Sequence, residues 1–155
     1  MSDFTVDSSF IVKGLVPVRR TKTDDLRARQ MREYEIASEY LNAIRVGAHR
    51  MFVPAIARVE VVAVISRLTN SREDAQDGSD FVLQNAARIY YDTDLLDRAI
   101  ETAIIAKTGG YDTIFLTVAK MTSSTLLTAD RIQHDMAIKT GIKSMLLSDL
   151  LGTRD

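Results

Sequence analysis

The chain of 155 residues contains no cysteine and only two histidines, His49 and His134. Disulfides, thiol nucleophiles and cysteine-held zinc are therefore excluded, and so is a histidine-rich metal site. Any resident metal must be held by oxygen. An excess of either charge is also lacking, since 20 Lys and Arg against 21 Asp and Glu leave a formal net charge of -1. A nucleic-acid partner would have to be drawn by a local basic patch rather than by the whole molecule. No apolar run approaches the length that spans a bilayer, and Met1-Ser2-Asp3 puts an acid where a signal peptide carries its basic region. We expect a cytoplasmic protein with no membrane partner. The length suits one domain over residues 1–155, with a single well-buried core.

What is present is an alternation of strand-like and helix-like stretches. Phe4-Thr5-Val6 reads as a short strand ending at Asp7, after which Ser8-Ser9 opens an apolar helical segment from Phe10 to Leu15. Pro17 to Thr23 is a breaker with clustered cations. Thr23, Asp24 and Asp25 then form the expected N-cap and first turn of a helix to about Arg45, with the apolar stripe Leu26, Tyr34, Ala37, Tyr40, Leu41 and Ile44. Residues 16–50 thus form a long basic helical connection. Met51-Phe52-Val53 predicts a second strand, and Pro54 suits the first turn of a helix from Ala55 to Leu68. Asn70 to Ser79 reads as a polar connection, followed by a helical stretch to about Ala87 and a strand at Ile89-Tyr90-Tyr91. Leu95 to Lys107 predicts another helix. A further helix runs from Asp112 with Phe115, Leu116, Val118 and Ala119 on one face, before the short strand Thr125-Leu126-Leu127-Thr128. A last helix ends at Gly141, before the strand-like Met145-Leu146-Leu147. Strands alternating with helices argue an α/β fold with a parallel sheet covered on both faces.

In such a sheet chemistry collects beyond the carboxyl ends of the strands, and several acids fall at element ends. Asp7, Asp112 and Asp130 each stand near a predicted helix start, where aspartate commonly serves as an N-cap. Glu60 lies within the run Val59 to Val64 and has no cation three or four positions away, so its partner must come from a distant segment. Taken singly, each acid is explained by capping or by a distant arginine. Together, four carboxylates in one crevice would destabilise the fold unless something positive sat among them.

Four ordered blocks carry a resemblance: Asp7-Ser8-Ser9 followed by Phe-Ile-Val-Lys; Glu60 within Val-Pro-Ala-Ile-Ala-Arg-Val-Glu-Val-Val; Gly-Tyr-Asp112-Thr-Ile-Phe-Leu-Thr-Val-Ala; and Leu-Leu-Thr128-Ala-Asp130. In that order they resemble the PIN domains, and within them the VapC-type ribonuclease toxins of toxin-antitoxin modules. The resemblance implies a three-layer α/β/α sandwich with a mostly parallel central sheet. It also implies an acidic pocket that binds magnesium or manganese and cleaves RNA phosphodiesters, with Asp7, Glu60, Asp112 and Asp130 as the catalytic, metal-binding acids. Ser9 and Thr128 match supporting hydroxyl residues that orient carboxylates or water. Asp135 resembles an extra acid of some members. The implied partners are an RNA substrate and a cognate small antitoxin protein, and a homodimer is the expected assembly. The 16–50 connection is longer and more basic than in the compact toxins, a departure that bears on how an antitoxin would dock.

The basic segment offers a weaker candidate. Arg19, Arg20 and Lys22, with Lys13, Arg27, Arg29 and Arg32 nearby, form either a track for RNA phosphates or a solvated arm. Neither histidine falls inside the matching blocks, and neither is assigned a catalytic role. Gly109-Gly110 lacks a phosphate-loop ending and reads as a turn. Two other functional classes compete with the nuclease: a non-catalytic RNA- or protein-binding module of the same fold, and a phosphatase with Asp7 as nucleophile. The second would require an acid where Ser9 stands.

Overall fold

The inner strand segments 4–6 and 126–128 are short and apolar enough to be buried on both faces, as a parallel sheet demands, while the edge segment Ala86–Tyr90 stays partly exposed. In the computed structural model, which describes residues 1–152, the elements run β1 (Ser2–Val6), α1 (Ser8–Leu15), α2 (Asp25–Arg45), β2 (His49–Pro54), α3 (Ile56–Thr69), α4 (Arg72–Asn85), β3 (Ala86–Tyr90), α5 (Asp92–Ala106), α6 (Gly110–Thr122), β4 (Thr125–Thr128), α7 (Arg131–Lys139), β5 (Ser144–Leu146) and α8 (Leu147–Leu150). The expected span of 1–155 runs into residues 153–155, which lie outside the described residues. All strand pairings are parallel, in the order β3-β2-β1-β4-β5. The first strand is therefore the central one, flanked by β2 and β4.

Two apolar layers close the sheet. On one face α1, α2 and α3 bury Phe10, Leu41, Val61 and Ile65 with Phe4 and Val53 of the strands. On the other, α5, α6 and α7 bury Leu116, Ala119 and Ala137 against Leu126, with Leu95 and Val118 beside Tyr90. The result is the expected three-layer α/β/α arrangement. Close approach of α1 to α2 depends on Gly14, where a Cβ would stand 2.5 Å from Leu41 Cδ1 and 3.0 Å from the Ala37 backbone. Ser38 Oγ donates to the Gly14 carbonyl at 2.8 Å and fixes the same crossing. Tyr40 belongs to this core, meeting Phe4 and Phe10 edge-on with ring centroids 5.8 and 5.9 Å away.

Several local expectations are corrected. The polar stretch from Asn70 is helical from Arg72, with Ser71 as its N-cap accepting from Asp74 N at 3.1 Å. The first half of this helix buries only small residues, Ala75, Gly78 and Ser79, and carries little apolar signal, whereas Phe81 and Val82 anchor its second half. Pro54 closes β2 opposite Tyr90 instead of opening α3; lacking an N–H, it ends the strand without an unpaired donor. Asp24, not Thr23, caps α2, accepting from Arg27 N at 3.0 Å. Leu26 is exposed, and Ile36 takes its place among the buried residues of that helix. Leu147 starts α8 rather than extending β5. No helix among the described residues is long and apolar enough to cross a membrane.

Candidate active site

The carboxyl ends of β1 and β4 lie side by side where the strand order reverses, the place at which open α/β sheets form a crevice. Val6 pairs with Leu127, and the pairing continues one residue on through Asp7 N, which donates to Leu127 O at 3.1 Å. Asp7 is thereby fixed level with Thr128. Its Oδ1 accepts from Phe10 N at 3.1 Å, as an N-cap of α1, and from Ser9 Oγ at 2.6 Å. Its Oδ2 accepts from Thr128 Oγ1. Both hydroxyls are themselves held, since Ala129 N donates to Ser9 Oγ and Asp130 N to Thr128 Oγ1, each at 3.0 Å. Asp7 is only 6% exposed. Burial pushes its carboxyl up to about 6 in spite of three hydrogen bonds that favour the ionised form, and the charge of Asp130 adds to the rise.

The other three acids are linked to this buried one in series. Glu60 projects from the first half of α3, half-buried, and its Oε1 accepts from Ser8 Oγ at 3.0 Å. The distant partner of Glu60 is therefore a hydroxyl, not an arginine. Partial burial raises its pKa, and so does the charge of Asp112. Asp112 lies in the first turn of α6 without capping it, because Gly109 is the N-cap. Its own pKa is raised by dehydration and then by Asp130. Asp130 is exposed and caps α7, accepting from Ile132 N at 2.8 Å and Gln133 N at 3.2 Å. The four carboxylates thus form an electrostatically linked series: Glu60 to Asp112, Asp112 to Asp130, and Asp130 to Asp7. Among the described residues none of the four enters an ion pair.

Hard oxygen donors with uncompensated charge suit a magnesium-like cation, which binds few carboxylates and keeps several waters. Among the described residues no three His, Cys, Asp or Glu side chains form a group that could hold a metal ion. Any ion here would be held by one or two of these carboxylates and by water. Two further residues serve this constellation without having been singled out. Ser8 anchors Glu60. Gln133, 2% exposed, donates from Nε2 to the Asp112 carbonyl at 3.0 Å while its backbone N–H holds Asp130. Ser8 stood inside a quoted block, but nothing in apolar periodicity marks a buried glutamine.

The remaining candidates lie elsewhere. Arg19 and Lys22 are exposed beyond the end of α1, about 12 Å of helix from Asp7 at about 1.5 Å per residue. Arg20 is committed to Asp24, with Nη2 at 2.5 Å from its Oδ2. Asp135 is exposed on α7. His49 Nδ1 accepts from Ser2 N at 3.2 Å, and His134 Nδ1 lies 2.7 Å from Ser144 Oγ.

Comparison with known proteins agrees with this architecture. The crystal structure of PAE2754 from Pyrobaculum aerophilum is similar at a TM-score of 0.60 and 17% identity, over 97% of this chain and 93% of that one. The crystal structure of FitAcB from Neisseria gonorrhoeae is similar at 0.56 and 13% identity, over 93% and 97% of the respective chains. At such identities the likeness is one of fold. No curated protein matches the chain. The sequence model of the PIN domain matches residues 5–139, which takes in all four acids, and the chain belongs to the PIN domain family.

Proposed function

We propose that the chain is one metal-dependent endoribonuclease domain, and that it is the VapC-type toxin of a pair neutralised by a small antitoxin. The observation that carries the reading is Asp7: a carboxylate buried at the strand-order reversal, tightly hydrogen-bonded, and facing further acids with no cation to offset them. Nucleases are common in the PIN family, and the toxin assignment rests on the sequence resemblance. Asp7, Glu60, Asp112 and Asp130 would hold magnesium or manganese. Such an ion, when bound, neutralises the non-bridging oxygens of a phosphodiester and makes a water nucleophilic.

The chain's own residues supply position. Ser9, Thr128 and Phe10 N hold both oxygens of Asp7 in one orientation, so little is left to reorganise when a cation arrives. Ser8 orients Glu60, and the first N–H groups of α7 orient Asp130. A phosphatase with Asp7 as nucleophile would need a second acid at position 9, where Ser9 instead donates its hydroxyl to Asp7. Purified protein is expected to cleave RNA with magnesium or manganese and to stop in chelator. Asp7→Asn and Asp112→Asn should lose activity by orders of magnitude while keeping the wild-type circular dichroism. Undiminished cleavage in chelator refutes the metal-dependent reading. RNA binding without cleavage under any of these conditions favours the non-catalytic module.

A further inference from the structure

Beside the acid crevice, across the start of α3, lies a hollow of about 330 Å³ between α3, α4 and the end of β3. It opens at the same carboxyl edge of the sheet, since Pro54 and Tyr90 end β2 and β3 in register and Ala55 N donates to Tyr90 O at 2.7 Å. Its walls are apolar, from Val59, Val62 and Ile89, with Tyr91 at the mouth, 57% exposed. Arg58 also lines it. Its Nε donates to the buried Ser79 Oγ at 3.0 Å, which fixes the guanidinium. Both Nη atoms remain without a partner in the described residues. A tethered guanidinium with free donors, an exposed phenol ring and an apolar floor form a set that recognises a phosphate together with a flat aromatic ring.

Arg58 and Val59 immediately precede Glu60 on α3, so the hollow and the acid lie within one helical turn, on different faces of it. We propose that it is the subsite for an unpaired RNA nucleotide flanking the phosphate to be cut, with Arg58 on the flanking phosphate and the base against Tyr91. The proposal rests on the nuclease reading for the identity of the ligand, but it is testable without cleavage. A strand entering the crevice at Glu60 would cross the first turn of α3 and drop its next base into the hollow. The acids repel phosphates where no cation intervenes. A fixed arginine on the far side of α3 gives the strand one attractive anchor that needs no metal.

The test uses a fluorescent single-stranded oligouridine carrying one thiouridine, bound to the full chain in chelator at low salt. Ultraviolet crosslinking is expected to attach the base at Tyr91. Tyr91→Ala should weaken binding roughly tenfold without changing its salt dependence, as loss of one stacked base does, and Tyr91→Phe should restore it. Arg58→Ala should weaken binding and flatten the slope of log K against log salt by about 0.7, the counterion term of one phosphate on a single strand. Both effects seen in a chain that cuts no RNA with magnesium would uphold the subsite and remove the nuclease. A chain that cuts RNA while both alanine variants bind like wild type would overturn the subsite and leave the nuclease standing. No binding by the wild-type chain overturns the subsite.

Discussion

Removing the charge of Asp7 should stabilise the protein in the absence of metal, and only above a definable pH. The carboxyl titrates at about 6 in the folded chain against 3.8 for the free group, chiefly because it is buried. Below 3.8 both the folded and unfolded states hold the proton, and burial of the neutral acid carries no electrostatic penalty. As pH rises the unfolded state ionises first, the folded state retains the extra proton, and stability falls until the folded group has also ionised. At about 1.36 kcal/mol per pH unit of displacement, the loss is about 3 kcal/mol, complete just above pH 6. Asp7→Asn removes this loss. Asparagine caps helices as well as aspartate does. Thr128 Oγ1, already accepting from Asp130 N, has a second lone pair for the new amide. A poorer network would cost on the order of 1 kcal/mol at every pH, leaving a net gain of about 2 kcal/mol at neutral pH. Urea unfolding of both proteins in chelator across the acid-to-neutral range measures the difference. It should be flat below 3.8 and rise by about 3 kcal/mol towards the upper plateau. With magnesium at a hundred times its dissociation constant the wild type should regain about 2.7 kcal/mol. A pH-independent difference would refute the claim that Asp7 is charged and uncompensated in the fold.

Gly14→Ala should cost about 1–3 kcal/mol by thermal or urea unfolding, because the added methyl meets the Ala37 backbone as well as Leu41. Gly110→Ala meets nothing within 4 Å and should be neutral or slightly stabilising. Replacing Arg19, Arg20 and Lys22 together by alanine should weaken RNA binding and flatten its salt slope by about 1.4, two contacts at about 0.7 each, since Arg20 is already paired with Asp24. An unchanged slope returns the segment to a solvated arm.

The sequence made the alternation of elements and the positions of the acids legible because both are local. Asp7, Asp112 and Asp130 sit at the first turns of α1, α6 and α7, and a strand followed by a cap can be read from a few adjacent letters. What escaped was tertiary. The first half of α4 packs through Ala75, Gly78 and Ser79, and small buried residues leave no apolar stripe to detect. A Cβ at Gly78 would stand 2.6 Å from Ile65 Cδ1, so the glycine marks a helix crossing rather than a turn. Pro54 is admissible at a strand end and at a helix start, and only its register with Tyr90 decides between them. Asp7 and Asp130 do cap α1 and α7, as their positions suggested. Asp112, whose position suggested a cap, is the one that caps nothing. Ser8 and Gln133 act on acids 52 and 21 residues away, separations at which spacing carries no information.

The central strand of this sheet is also the first to be synthesised. β1 comes first in the order of the strands, yet the neighbour that completes the crevice is β4, and the hydroxyl that grips Asp7 lies 121 residues further on. On a ribosome Asp7 therefore waits, solvated and ordinary in its acidity, while more than three-quarters of the chain is made. Until Thr125 to Thr128 zips onto β1, Asp7 has neither its burial nor its hydrogen bond from Thr128. Such long-range closure is slow compared with forming the helices on either side. A nascent or prematurely terminated chain would consequently be structured in part while lacking the crevice, which would form in one late event, the docking of a four-residue strand.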